Sequence, residues 1–329
     1  MTLTRRSSLA ALGAAAFAIV RPARAQATKL RFAHPHPEAD SWHKAALLLA
    51  ERVKEKSGGK YEIQVFPNGS LGSDSQTISA VRGGSIDMCL TGNPFFTGMA
   101  PKLNVLDLPF LFDSRAHAAA VYDGPIGDDL RRELEGSNLK ALATWEIGWR
   151  NLTNNKRPVA SAADIKGLKI RTTPNPAHIQ AFRLLGAVPT PMAFTELFTA
   201  LETGTVDGQE NPVTLILNAK FHEVQKHVSL TRHAFTTGPV VMNKQKFDAY
   251  PAETRTLLEE TAKEVATLQR KMNEDTEATS LDALKKAGMR AVENPDRDSF
   301  AKIVAAEVEK EFVGKHGGEQ LAAIKKAMV

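Results

Sequence analysis

A chain of 329 residues, 43% hydrophobic and 24% charged, is long enough for two compact lobes and lacks the charge excess of a disordered polymer. The formal charge of +5 falls to 5 − 4 = +1 when the four arginines of the first 25 residues (Arg5, Arg6, Arg21 and Arg24) are set aside, which removes the case for nucleic-acid binding. Cys89 stands alone, so no internal disulfide forms; its apolar surroundings, Ile86 to Leu90, predict a buried thiol.

The N-terminus reads as an export signal. Arg5 and Arg6 precede an apolar run from Leu9 to Val20, and Ala23-Arg24-Ala25 forms a cleavage signal before Gln26. The run falls short of the ~20 residues that cross a membrane. Cleavage after Ala25 and a periplasmic location are expected. Sec and Tat export both stay open, since the paired arginines suit Tat but Ser8 stands where a Phe is usual. No cysteine near the cleavage site offers a lipid anchor.

Lys29 to Ala33 predicts the first strand. A helix follows from about Ser41 to Lys56, with Ala46, Leu49 and Val53 on one face and Ser57-Gly58-Gly59 as its stop. Tyr61 to Phe66 alternates as a second strand. Ser73-x-x-Gln76 is a capping box, and Gly83-Gly84 closes its helix before a strand at Ile86.

The densest stretch runs from Gly167 to Pro212. Leu168, Ile170 and Thr172 alternate with Lys169 and Arg171, predicting a short strand with Arg171 on the opposite side near its end. Pro174 and Pro176 stop the pairing. A helix from about Ala177, a break at Pro189 and Pro191, and a second helix ending at Gly204 come next. Val206-Asp207-Gly208 opens a further strand, which Gln209-Glu210-Asn211-Pro212 leaves. Polar groups at strand ends in β-α-β order mark where open α/β sheets bind ligands. Ala80 to Asp87 aligns without gaps on Ala200 to Asp207, and an Asn-Pro pair follows each copy. Either α/β turns share a taste for Gly before a β-branched residue, or two similar lobes point strand ends at one cleft. Pro251 to Ala287 holds no Gly or Pro and predicts one or two long helices stopped at Gly288; its apolar positions do not keep strict heptads. No P-loop, dinucleotide glycine fingerprint or cysteine-based zinc motif is present.

The 167–212 stretch resembles the solute-binding proteins of TRAP (tripartite ATP-independent periplasmic) transporters. The segments Phe66 to Gly72, Leu108 to Phe112, Gly148 to Thr153 and Val224 to Thr231 resemble the same family at matching spacing. The resemblance implies a bilobal α/β periplasmic-binding-protein fold around a ligand cleft, with a long C-terminal helix spanning both lobes. Residues 26–147 plus about 235–275 are expected in lobe one, and 148–234 plus about 276–329 in lobe two. It further implies a monomer, without cofactor or metal, that captures an organic acid and hands it to integral-membrane transporter subunits.

Arg171 is the leading site residue, because a guanidinium fork matches a carboxylate and the resemblance assigns this position to the ligand clamp. By spacing alone it is an exposed strand-end arginine. Arg150 beside Trp149 is expected to lie flat on the indole and assist, or to be a structural cation. Asn211 and Glu210 offer polar contacts to ligand, or a turn initiator and a structural hydrogen bond. His34, His36, Glu38, Gln76 and Asn93 are the first-lobe candidates. Trp42, Phe95, Trp145, Trp149 and Phe194 are an apolar wall, or core. An enzyme would need paired carboxylates, and Asp87, Asp207, Glu196 and Glu210 each have a structural explanation. An extracytoplasmic sensor of the same fold is a further alternative. The neutral polar groups with aromatics nearby in sequence suit a hydroxylated ring, and the resemblance, to a family that includes hexuronate binders, implies glucuronate or galacturonate, with dicarboxylates, 2-oxo acids and aromatic acids open.

Overall fold

In a computed structural model, which describes residues 27–327, the chain alternates strands and helices almost throughout. The predicted export signal lies outside the described residues. The first unit is β1 (Thr28–Ala33), α1 (Ser41–Lys56), β2 (Tyr61–Phe66), α2 (Asp74–Arg82) and β3 (Met88–Leu90). Helices α3 (Arg115–Asp123) and α4 (Pro125–Arg132) lead into the long strand β4 (Leu139–Asn154). The second unit is β5 (Lys169–Thr172), α5 (Pro176–Leu184), β6 (Val188–Pro191), α6 (Leu197–Glu202) and β7 (Gly208–Asn211). Then come α7 (Val213–Asn218), the long strand β8 (His227–Asn243), α8 (Lys244–Asp248), α9 (Ala252–Lys286), β9 (Arg290–Val292), α10 (Arg297–His316) and α11 (Glu319–Lys326).

The two units are the same β-α-β-α-β device. In the first, β1 pairs parallel with β2 and β3, and β3 pairs antiparallel with β8. In the second, β5 pairs parallel with β6 and β7, and β7 pairs antiparallel with β4. The gapless internal match thus reflects shared architecture. Gly84 and Gly204 sit at matching helix stops with φ of +75° and +71°, which a side chain adopts only with strain. Ser73 and Gln76 form the capping box that opens α2.

The strand order is β2-β1-β3-β8-β4-β7-β5-β6, with β9 on β8. The series is continuous across both units. The continuity runs through β4 and β8 alone. The Leu90 to Met88 edge of β3 meets Val240 to Met242 of β8, while β7 meets Asn151 to Asn154 of β4. Between these stretches the β4–β8 ladder slips at Ala141/Ala143, Glu146/Gly148 and Arg150/Leu152. Bulges bend a strand and raise its twist, so one ladder serves two lobes. The prolines at 189 and 191 do not break the chain; they lie in β6, an edge strand, where a missing N–H costs no ladder bond.

Helix α9 is one helix of 35 residues. Leu258, Ala262, Val265 and Ala266 pack in a cluster with Trp42 and Trp145, and Leu284 packs with Leu197 and Val228 at the other end. It therefore braces both units. Helix α11 departs from the expected division: it lies on α4, and Ile324 O pairs with His117 Nε2 at 2.9 Å. Its residues pack with the segment expected in lobe one, because α10 carries the chain from Phe300, in the second unit's core, back to Val308 and Phe312 in the first's. Cys89 is buried, and burial pushes its thiol well above the usual range, as predicted for an inert group.

Candidate functional site

The carboxyl ends of β5 and β7 and the bulged middle of β4 bring four polar side chains together. Arg171, 1% exposed, is the penultimate residue of β5. Its Nε and Nη2 both donate to Met192 O, at 3.2 and 2.8 Å. No carboxylate lies within salt-bridge distance of it among the described residues. Burial pulls its pKa down to about 10 against the opposing field of Glu210.

Arg150, equally buried, is paired. Its Nε and Nη2 donate to the Glu210 carboxylate (Nη2–Oε1 2.8 Å), and Nη2 also bonds Glu210 O and, at 3.2 Å, Asn211 Oδ1. His233 Nε2 lies 3.2 Å from Glu210 Oε2. Burial alone would raise the Glu210 pKa; the Arg150 charge and these hydrogen bonds outweigh it and hold the carboxyl far below its usual range. Glu210 therefore neutralises Arg150 and leaves Arg171 as the uncompensated cation. Asn211 Nδ2 donates to Gln209 Oε1 at 2.6 Å, so this amide is held on both sides.

Trp149 does not stack on Arg150. Successive residues of a strand point to opposite faces. The indole meets Phe235 edge-on at 4.9 Å and lines a groove of ≈ 850 Å³ with Arg115, Arg232 and Glu277. Trp42 and Trp145 are core, their Nε1 donating to Glu146 O and Ala262 O. Phe194 is the aromatic that reaches between the units. Its N–H donates to Asp74 Oδ2 at 2.9 Å, and its ring lies 5.1 Å from His36. His36 stacks on Trp42 at 4.0 Å, with Nδ1 2.9 Å from Asp40 Oδ1.

The remaining first-unit candidates divide. His34 is 1% exposed, Nε2 3.2 Å from His43 Nδ1 and Nδ1 without a partner; burial lowers its pKa to about 3, so the ring is neutral. Asn93 Nδ2 donates to Leu103 O and Asp107 Oδ2, which makes it a brace for the loop before β4 rather than a free group. Glu38 is exposed. Gln76 is also exposed, and its Oε1 accepts from Ser73 N–H at 2.9 Å, so the capping box consumes it. Of the carboxylates weighed for catalysis, Asp87 accepts from Arg31 N–H and Lys246 Nζ, Asp207 accepts from Lys169 N–H, and Glu196 is exposed.

Three buried groups were not singled out from sequence. Asp74 joins Thr91 Oγ1 to Phe194 N–H. Asp107 accepts from Asn93 and, at 3.1 Å, from Asn175, and burial pushes its pKa up to about 7. His178 follows Asn175-Pro176 in the first turn of α5, where burial lowers its pKa to about 3. The Asn-Pro start of α5 is a legible cap; the partners of Asp74 and Asp107 are tertiary and leave no local signal.

Comparison with known proteins gives the family. The family model described as bacterial extracellular solute-binding protein, family 7 (DctP), matches residues 32–315. The chain is 42% identical over 308 residues to the 2,3-diketo-L-gulonate-binding periplasmic protein YiaO of Escherichia coli (strain K12), covering 94% of each. It superposes with a TM-score of 0.88 and 38% identity on a TRAP periplasmic solute-binding protein from Polaromonas sp. JS666 bound to D-erythronate, covering 91% of this chain and 98% of that one. It superposes with a TM-score of 0.88 and 35% identity on the sugar acid binding protein DctPAm from Advenella mimigardefordensis in complex with galactonate, covering 92% and 99%.

Proposed function

The chain belongs to the family 7 bacterial extracellular solute-binding proteins, the DctP family, and from that premise we propose that its ligand is an open-chain, polyhydroxylated monocarboxylate of the sugar-acid class. It is a TRAP-type binding protein for organic acids that works with membrane transporter components, and its relatives are named as binding proteins rather than enzymes. Among the described residues no helix is long and apolar enough to cross a membrane.

The single observation that carries the ligand reading is Arg171, a buried guanidinium with no carboxylate of its own beside a neutralised Arg150–Glu210 pair. A desolvated cation held by one backbone carbonyl calls for an anionic partner, and a carboxylate fits its fork. One net positive charge suits one carboxylate. The hexuronate expected from sequence leaned on an aromatic wall for a sugar ring. Trp42 and Trp145 are spent in the core and Trp149 faces the other groove, which weakens the ring and favours an open chain. Neutral buried nitrogens on His34 and His178 suit hydroxyls. Three similar proteins carry the names of 2,3-diketo-L-gulonate, D-erythronate and galactonate, all hydroxylated acids, while two others, at 30% and 32% identity, are bound to galacturonate.

A thermal-unfolding screen tests this. Galactonate, erythronate and 2,3-diketo-L-gulonate should stabilise the protein. A ligand at a hundred times its Kd adds about 2.7 kcal/mol. Larger stabilisation by galacturonate or glucuronate would restore the hexuronate reading. Stabilisation by succinate alone would overturn the sugar-acid class.

The export signal, with cleavage after Ala25, and the division of the chain about β4 and β8 belong to the same proposal. N-terminal sequencing of the secreted protein checks the first.

A further inference from the structure

We infer that His178 is a specificity-determining residue of this site, reading one hydroxyl of the bound acid through its Nε2. The inference rests on the sugar-acid reading above. Helix α5 begins directly after β5, the strand that ends in Arg171, so the two side chains are placed by one short turn of chain. Asn175 caps the helix, its Oδ1 accepting from His178 N–H at 3.1 Å, while its Nδ2 reaches Asp107. The main chain under His178 is thereby fixed. The ring is fixed as well: Nδ1 lies 3.0 Å from Thr173 Oγ1, and the residue is 2% exposed. The other ring nitrogen has no partner among the described residues.

That combination is informative. Buried polar atoms in native proteins almost always have a partner. A ring needed only for filling would be served by an apolar side chain at no polar cost. The titratable groups whose fields reach His178 are Glu210, Arg150, His233 and Arg171, the polar cluster of the candidate site. The ring is neutral, because burial lowers its pKa to about 3. A neutral imidazole has one donor and one acceptor nitrogen, assigned by what Thr173 does. The Thr173 hydroxyl serves either tautomer, so Nε2 presents either a donor or a lone pair. A ligand hydroxyl satisfies both cases. A carboxylate satisfies only the first, and a methylene satisfies neither. A site built to hydrogen-bond a hydroxyl rejects the analogue lacking it, since the protein atom is then left unpaired.

The test is a cycle between residue and ligand by calorimetry. Galactonate or erythronate, whichever binds, is compared with its monodeoxy analogues on the wild-type protein, His178→Asn and His178→Gln. The Asn amide keeps the reach to Thr173 but stops short of the Nε2 position; the Gln amide reaches farther. In the wild type one deoxy analogue should bind weaker by on the order of tenfold. In His178→Asn that penalty should vanish for the same analogue alone, with the parent acid weakened by the same factor, and His178→Gln should recover part of it. An unchanged penalty pattern in His178→Asn, with only a lowered unfolding temperature, would overturn the inference. Should His178→Asn fail to fold, Thr173→Val, which unpins the ring, must shrink the same single penalty; an unchanged penalty there overturns it equally. A wild-type protein that binds none of these acids defeats the sugar-acid reading itself, a result distinct from a bound acid that shows no coupling.

Discussion

Arg171 is the residue on which binding should turn. Its charge is desolvated without a protein carboxylate, so the ligand supplies the missing partner. Arg171→Ala should weaken sugar-acid binding by orders of magnitude, since truncating a buried charged partner costs about 2–5 kcal/mol or more. The variant should keep or gain unfolding stability, because an uncompensated buried charge is removed. Arg171→Lys should recover little, as an ammonium lacks the fork. Near-native affinity for Arg171→Ala in calorimetry would end the assignment. Asp107 gives the pH dependence. Its ordinary pKa of 3.8 rises to about 7 in the fold, so the native state binds the extra proton between those values. Stability contributed by the group is full below 3.8 and is lost as pH rises through about 7. Urea unfolding of Asp107→Asn at pH 5 and pH 8 should show a flatter pH dependence than the wild type. An identical slope would remove Asp107 as its source. Arg171 is singled out by the family resemblance, since alternation and the two prolines alone read it as an exposed strand-end arginine. Gln76 carries two readings in the sequence, cap and site, and the structure gives its Oε1 to the cap, while Glu38 is exposed. Trp149 was misplaced because the period of two was not carried from Trp149 to Arg150.

Elements were more legible than contacts, since caps and glycine stops act locally. The capping box of α2, the glycine ends of α2 and α6, and the unbroken α9 all follow from nearby residues. Pro189 and Pro191 misled, because a proline forbids a ladder bond only where one is needed, and sequence does not say which strand is an edge. The length of β4 and β8 was hidden for a related reason: their bulges interrupt the alternation that would have marked them. At this scale one polar tie between α9 and β4, beside Asn273 and the Trp145 indole, is the Gln269 amide. Its Oε1 accepts from Glu146 N–H, and its Nε2 donates to Glu146 O and Ser41 Oγ, each at 2.9 Å. Gln269→Ala should strand buried backbone groups and cost about 1–3 kcal/mol in denaturant unfolding. The Kd for the sugar acid should stay unchanged, as Gln269's hydrogen-bond partners are Glu146 and Ser41, not the Arg171, Arg150 and Glu210 cluster. A neutral effect on stability would mean that packing and the Asn273 and Trp145 hydrogen bonds hold α9 without Gln269.

The whole molecule is two copies of one β-α-β-α-β unit joined through two shared, bulged strands and braced by α9. Closure of such lobes on a ligand must be absorbed by the few residues where the shared ladder is irregular. Gly148 sits at one of these irregularities, at φ +123°, between Glu146 and the ion-paired Arg150. A Cβ there would come to 3.3 Å from Glu146 Oε1 and 3.4 Å from Pro212 Cγ, in a backbone region that side chains rarely adopt. Such strain costs on the order of 1–3 kcal/mol. Gly148→Ala leaves every site side chain in place, so any effect on binding must pass through the backbone. If the closed form alone binds tightly, the apparent Kd rises in proportion as that form is depopulated. The expected outcome is weaker galactonate binding, with solution scattering of the galactonate-saturated variant matching the wild-type complex and that of the free variant more extended than the free wild type. Unchanged affinity and unchanged scattering would place the bending elsewhere, in the Ala141/Ala143 or Arg150/Leu152 slips.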